Sequence, residues 1–382
     1  MFFVLKLSKL CNLRCTYCYE YDELGLSERM PIEGLDRFFA WLAERQPPRG
    51  WRPMEFVFHG GEPLLLPQSY LEAVVKSQED HLGRAGIAYV NSLQTNLTRL
   101  DDRILAMLDR LRIGLGVSLD VFGEQRIYGS GRDSQGKVLE NLQKVLDSGL
   151  AGRLGVGIIS VMHRGNIDRV ISVFEFCAEL GLSYRVLPVF SLADPPARMT
   201  ELTLDHDAVV GALQRLGKHW LEAGLPIDVF PLVNYLDAAV HSLLGRPAPT
   251  YDPAAGDWAY IVNTNGDAYS HAEAYSEAGW MGNIFRQPLV EILASPAHRR
   301  TLVPRLARAG VCTSCRFGSF CSRVPLVESL PSERAYESDG SLRCPIALPM
   351  IDFFREQLLA DADSAALVYE ARSKISAESA PA

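Results

Sequence analysis

From the N-terminus to about residue 190, short β-rich runs alternate with amphipathic helical stretches, and no other feature of the chain narrows its fold so far. Strand patterns fall at 2–7, 54–59, 88–95, 113–119, 155–162 and 184–190. Helical periodicity occupies 31–46, 67–84, 101–110, 134–148 and 166–181 between them. A strand that returns to its sheet through a helix pairs in parallel with a right-handed crossover. The alternation therefore predicts an α/β fold whose parallel sheet curves into an open or closed barrel. A Pro-containing segment at 192–199 ends this part, and a mainly helical stretch runs on to about 245. After the break Arg246-Pro247-Ala248-Pro249, residues 258–262, the turn Asn263-Thr264-Asn265-Gly266 and residues 267–269 predict a β-hairpin. The remainder to about 345 reads as irregular and cysteine-bearing, followed by a last helix and a Ser/Ala-rich tail expected to fray. Four regions result: a barrel at 1–200, a helical linker at 201–255, a cysteine-bearing domain at 256–350, and a C-terminal helix with its tail at 351–382.

Charge and hydropathy remove several function classes. No apolar run reaches the roughly 18 residues of a membrane span. The start, Met1-Phe2-Phe3-Val4-Leu5-Lys6-Leu7, is too short and wrongly flanked for a secretory signal, so a cytoplasmic location is expected. A net charge of −8, with no long Lys/Arg block, argues against nucleic acid as a partner, because such binding rests on phosphate neutralisation.

Seven of the eight cysteines lie in two groups, 11–18 and 312–344. In a long chain without a signal peptide, clustered cysteines point to metal or redox chemistry before disulfides. Cys177, alone in Phe174-Glu175-Phe176-Cys177-Ala178, fits a buried apolar role. In Cys11-Asn12-Leu13-Arg14-Cys15-Thr16-Tyr17-Cys18, one loop can wrap three corners of an iron–sulfur cubane and leave the fourth iron open. A structural zinc site wants four ligands, and a dithiol redox site has no use for the third cysteine.

This run resembles the C-x3-C-x2-C signature of radical S-adenosylmethionine (SAM) enzymes, including the aromatic Tyr17. The resemblance implies a partial (β/α)6 TIM-like barrel in which Cys11, Cys15 and Cys18 hold a [4Fe–4S] cluster. SAM would chelate the open iron, and its reductive cleavage would give a 5′-deoxyadenosyl radical that abstracts a substrate hydrogen. An electron donor such as a flavodoxin or ferredoxin is implied as a partner. His59-Gly60-Gly61-Glu62-Pro63 is similar to the family's Gly-Gly-Glu-Pro motif, in which Glu62 would accept from the SAM ammonium. Gln94-Thr95-Asn96 and Ser118-Leu119-Asp120 also end predicted strands, on the edge where parallel barrels build their sites. By resemblance Ser118 and Asp120 lie near the SAM ribose or the substrate, Thr95 and Asn96 line the pocket, and Leu187 either contacts adenine or serves the core. Where the family usually has glycine, this chain has Leu97 and Val121.

Cys312-Thr313-Ser314-Cys315, Cys321 and Cys344-Pro345 resemble the SPASM (or twitch-like) extension of radical SAM enzymes. These four cysteines would hold one auxiliary [4Fe–4S] cluster, although the pattern also suits zinc. Positions expected for a second auxiliary cluster are Pro325 and His271, and no cysteine lies between 245 and 265, so that cluster is read as lost. His271 is then a substrate-site base or a space filler. Within the SPASM group the chain looks most like maturases that cross-link, oxidise or epimerise residues of small ribosomal peptides. A dehydrogenase or epimerase acting on a sugar or cyclitol is the alternative. Asp120, Arg132, Tyr251, His271 and Glu273 are the candidate bases or hydrogen donors.

Overall fold

The first strand, β1 (Phe2–Ser8), carries Phe3, Leu5 and Leu7 on one face, and all three are fully buried. Strands β2 (Met54–Gly60), β3 (Tyr89–Thr95), β4 (Ile113–Ser118), β5 (Val156–Met162) and β6 (Ser183–Pro188) follow where alternation predicts them. Each pairs in parallel with its neighbour. The computed structural model describes residues 1–44, 53–121, 124–189, 197–270, 277–323 and 344–360.

The helices between the strands are α1 (Ile32–Glu44), α2 (Gln68–Gln78), α3 (Asp102–Leu111), α4 (Gln135–Asp147) and α5 (Val170–Glu179). Asp101 caps α3 by accepting from the Ile104 N–H at 2.8 Å, a contact of about 1 kcal/mol. The core lies between these helices and the outer face of the sheet. Phe3 stacks on Phe56 at 5.2 Å and meets Phe38 of α1 edge-on at 5.3 Å. Such ring pairs add about 0.5–1.5 kcal/mol each beyond burial.

Three regions depart from the sequence reading. Within the stretch read as helical, α6 (His206–Glu222) and α7 (Leu232–Leu244) are separated by a strand, β7 (Val229–Phe230), which pairs in parallel with β6. Two residues are too few to show a period. The hairpin β8 (Tyr260–Val262) and β9 (Asp267–Ser270) is present, but β8 also pairs in parallel with β1. A further strand, β10 (Trp280–Asn283), closes that edge, and the sheet runs β10-β9-β8-β1-β2-β3-β4-β5-β6-β7. Finally, the segment read as irregular contains α8 (Leu289–Ala294) and α9 (Pro296–Val311). Pro304 inside α9 and its basic composition hide the helical pattern. The expected last helix is α10 (Ala347–Ala360); it packs on α6 and α7, where Phe354 meets Trp220 edge-on. The tail beyond it, with His271, Glu273 and Pro325, lies outside the described residues. No helix among the described residues is long and apolar enough to cross a membrane.

Candidate active site at the rim of the sheet

The cysteine loop leaves the C-terminal end of β1 and is fastened on two sides. The Cys11 N–H donates to Leu24 O at 3.0 Å, the Arg14 N–H to Ile127 O at 2.7 Å and the Thr16 N–H to Gln125 O at 3.1 Å. Beneath it lies the glycine pair that ends β2. A Cβ at Gly61 would stand 2.5 Å from Lys9 O and closer still to Leu10 O, and one at Gly60 would strike Ser8 O. The glycines let two backbones touch, as their motif suggests, and the backbone they admit is that of the cysteine loop.

Glu62 is 1% exposed. Its carboxylate accepts from the Leu64 N–H at 2.8 Å, the Asn96 N–H at 2.6 Å and the Thr95 hydroxyl at 2.9 Å. Burial holds its acid above the usual carboxylate range, and these three donors oppose that shift. Two oxygens with about four lone-pair sites leave Glu62 able to accept once more. Asn96 is just as heavily engaged: its side-chain N–H₂ meets Asn12 Oδ1 at 3.0 Å and Cys11 Sγ at 3.8 Å, and its oxygen accepts from Thr98. The next residue, where glycine is usual, keeps the left-handed backbone, with Leu97 at φ 52° and fully buried. Its carbonyl accepts from Asn141 Nδ2 at 2.8 Å and its N–H donates to Thr95 Oγ1 at 2.8 Å. A leucine tolerates that conformation because both its peptide groups are held.

Across the rim, Tyr17 donates its hydroxyl hydrogen to Asp120 and accepts from Arg126 Nη1 at 2.8 Å. The other Asp120 oxygen accepts from the Val161 N–H at 2.8 Å, so this buried carboxylate ties the cysteine loop to β5. Ser118 accepts from Gln94 Nε2 at 2.7 Å; Gly116, opposite Gln94, leaves that side chain room to cross. Leu187 stands opposite Val161 near the ends of β6 and β5. Cys11, Cys15 and Tyr17 thus share one rim with Glu62, Thr95, Asn96, Ser118 and Asp120. Two other candidates do not join them. Arg132 is exposed over the Tyr128 ring, and Tyr251 meets Trp258 and Arg305 in the C-terminal region.

Sequence reasoning passed over Lys6, Arg126, His163 and Arg198. Lys6, 3% exposed, pairs with Glu20 Oε1 at 2.8 Å and with the Tyr19 hydroxyl. A lone lysine in an otherwise apolar strand was the signal that could have found it. Burial, with Lys6 close by, lowers the neighbouring His59 to about 3, so this imidazole is neutral at pH 7 and accepts from the Gly60 N–H.

The donor set fits an anionic iron–sulfur group. Burial pushes the Cys11 thiol up to about 12 and Cys18 to about 11, and mutual repulsion among the loop's thiols adds to both. Backbone and amide N–H groups of Leu13 and Asn96 point at Cys11 Sγ. Around the loop Arg126 Nε, Arg198 Nε and His163 Nε2 are buried without hydrogen-bond partners among the described residues. Arg198 also donates to Cys18 O at 3.2 Å. No three His, Cys, Asp or Glu side chains among the described residues converge as one metal ion requires. A cubane takes its thiolates on separate irons, one apiece with the fourth iron open here, and so asks for a wider spacing.

The second cysteine group forms tight turns after α9. The Cys315 N–H donates to Cys312 O at 3.2 Å and the Cys321 N–H to Phe317 O at 2.8 Å. Gly318 lies against Cys312 O, where a Cβ has no space. Burial pushes Cys321 up to about 12, with Cys344, Cys312 and Cys315 adding to it, so the four sulfurs feel one another.

Comparison with known proteins agrees with this geometry. Residues 5–177 match the radical SAM superfamily. The cysteine-type anaerobic sulfatase-maturating enzyme of Clostridium perfringens is 22% identical over 320 residues, 81% of this chain and 84% of that protein. The serine-type enzyme of Klebsiella aerogenes is 26% identical over 176 residues, 46% of this chain and 42% of that one. Among solved structures, native anSMEcpe with bound AdoMet and Cp18Cys peptide superposes with a TM-score of 0.74 at 19% identity, covering 97% of this chain and 98% of that one. SuiB of Streptococcus suis bound to S-adenosylmethionine gives 0.57 at 15% identity, covering 84% and 72%. The likeness to the sulfatase-maturase fold therefore runs through the C-terminal region as well as the matched domain. Residues 5–177 of this chain are thus a radical SAM domain, which marks an enzyme of SAM and [4Fe–4S] oxidoreductase chemistry, and the chain continues beyond that domain in an extension.

Proposed function

We propose that this enzyme modifies residues of a ribosomally made peptide, by cross-linking, oxidation or epimerisation. Cys11, Cys15 and Cys18 would hold the SAM-binding cluster, and Cys312, Cys315, Cys321 and Cys344 one auxiliary cluster. The observation that carries the reading is the near-complete overlap, extension included, with a fold that has been seen with AdoMet and a peptide together. A cluster and SAM held at this rim would supply radical chemistry, the one-electron reductive cleavage of SAM that allows a hydrogen atom to be taken from a substrate carbon.

The chain's own residues hold that chemistry in place. Glu62 fixes the β2 and β3 ends against each other and keeps one acceptor position for the SAM ammonium. Tyr17, Asp120 and Arg126 hold the cysteine loop against β4 and β5. Gln94 and Ser118 present a polar edge to the ribose side. Four thiolate ligands leave the auxiliary cluster no open iron, which suits electron transfer with a flavodoxin- or ferredoxin-like donor or with the active site.

Anaerobic reconstitution and iron counting test the inventory, with about eight irons per chain expected from two four-iron clusters. About four would remove the C-terminal cluster, and about twelve would require a third. Replacing Cys11, Cys15 and Cys18 together with alanine should abolish 5′-deoxyadenosine formation; its persistence would overturn the assignment. Product mass spectra with candidate peptides set against cyclitols test the substrate class.

A further inference from the structure

At the end of β5 the chain buries a hydrogen-bond donor that it does not use. Val161 faces the cysteine loop, packed with Leu13, Cys15 and Tyr17, and His163 is the next side chain on that face of the strand. His163 is 1% exposed, and its ring stands 6.2 Å from that of Tyr17. The Gly165 N–H donates to Nδ1 at 3.1 Å, which selects the tautomer with its hydrogen on Nε2. Burial lowers the imidazole from its ordinary value against the pull of Asp120, so the ring is neutral at pH 7. That Nε2 is buried with no hydrogen-bond partner among the described residues. Both oxygens of Asp120 are taken, by Tyr17 and by Val161, and the face of the Tyr17 ring is too far away to accept. A buried N–H left open costs about 1–3 kcal/mol, and asks for an acceptor that the polypeptide does not supply.

The three thiols show on which side that acceptor belongs. Cys11 Sγ meets the Leu13 N–H and Asn96 Nδ2, and the Glu20 N–H serves Cys18. Cys15, the most buried of the three, is bonded to no N–H of another residue among the described ones. We propose that His163 is the outer donor of the first cluster: its Nε2–H bonds a sulfur on the Cys15 side and raises the cluster's reduction potential. The proposal rests on the cluster assignment made above for Cys11, Cys15 and Cys18. Reduction puts one electron from the flavodoxin- or ferredoxin-like donor onto the cluster, and no proton moves; Nε2 keeps its hydrogen throughout. The sulfurs gain negative charge in that step, so an N–H directed at them stabilises the reduced form more than the oxidised one. The Gly165 contact holds the ring in place for this, because it spends Nδ1 and leaves Nε2 as the only donor.

The test is an anaerobic redox titration of the reconstituted, SAM-free enzyme followed by EPR, the first cluster being the signal that SAM alters. His163→Phe keeps the bulk of the ring, and His163→Gln reaches out with a side-chain N–H. Both give up the acceptor for Gly165, so the difference between them isolates the donor. At equal iron content, His163→Phe should lower the ratio of reduced to oxidised cluster about tenfold at the parent's midpoint, a one-electron shift of about 59 mV. His163→Gln should restore most of it. In the parent enzyme, isotopic labelling of histidine nitrogen should reveal a weak nitrogen coupling in the pulsed EPR spectrum of the reduced cluster. Absence of that coupling overturns the donor role, whether or not the variants fold. An unchanged potential in His163→Phe, an equal fall in His163→Gln, or a loss confined to SAM affinity overturns it as well, and each leaves the cluster assignment standing. A parent enzyme with no EPR signal that responds to SAM overturns the assignment itself.

Discussion

Glu62→Gln separates the structural work of the glycine–glutamate motif from its contact with SAM. In the folded chain Glu62 Oε1 serves Leu64 and Thr95, and Oε2 serves the Asn96 N–H. A glutamine keeps the first pair if its oxygen takes the Oε1 place, and its N–H₂ then faces the Asn96 N–H, donor against donor. One charge-assisted hydrogen bond is lost, about 1.5–3 kcal/mol, and a buried N–H is orphaned for about 1–3 kcal/mol more. Against this, burial holds the Glu62 acid above its usual range, so removing the charge returns part of the loss. The net cost is about 2–3 kcal/mol. With a urea slope near 3 kcal/mol per molar, the denaturation midpoint of the cluster-free chain should fall by about 1 M, followed by circular dichroism under anaerobic conditions. Thr95→Val removes two hydrogen bonds, the one the hydroxyl donates to Glu62 Oε1 and the one it accepts from the Leu97 N–H, and should cost about 2–3 kcal/mol. A Glu62→Gln midpoint within about 0.2 M of the parent would refute the stapling role. If SAM binding were then lost, Glu62 would be a ligand-binding group alone.

Two further perturbations read other parts of the rim. Gly61→Ala drives a methyl into Lys9 O and Leu10 O, both main-chain atoms, and should cost about 3 kcal/mol or more; reconstituted iron should drop by the share of the first cluster, with the C-terminal share retained. His59, ordinarily near 6.5 and lowered to about 3 in the fold, contributes stability that is present above pH 6.5 and lost as pH falls toward 3. His59→Gln should therefore flatten the acid limb of the stability profile in urea titrations between those values, and an unchanged slope would refute the neutral, half-buried imidazole.

Strand positions were legible wherever apolar residues alternate over six or more positions, as in Met54–Gly60 and Val156–Met162. They were illegible where geometry replaces pattern. β7 has two residues, and β10 carries a bulge between Trp280 and Gly282 that breaks its alternation. At the site, motif spacing identified Glu62, Thr95, Asn96, Ser118 and Asp120 as rim residues. It could not say that Glu62 spends three and Asp120 two of their acceptor positions on the protein itself. Arg126 and Arg198 were missed because one comes from a loop and the other from a single helical turn (Ala197–Thr200), neither long enough to show a period, and only the folded chain brings them to the cysteine loop. Tyr251 was a candidate base or hydrogen donor, whereas its hydroxyl accepts from Arg305 of the buried Asp257–Arg305 pair.

The parallel pairing of β8 with β1 bears on the order in which the protein is made. The strand that presents the cysteine loop emerges from the ribosome well before the hairpin, yet its second hydrogen-bonded neighbour is more than 250 residues away in sequence. Until residues 260–262 arrive, β1 is an unprotected edge, open to pairing with other chains. Thr264 then bonds Glu28, whose carboxylate also lies 3.4 Å from Lys9 beside the first cysteine, so the last-made part of the sheet latches the first. A chain cut after the matched domain would leave that edge bare for good. Closure of that edge accordingly waits until synthesis has passed the hairpin, long after Cys11, Cys15 and Cys18 have been made.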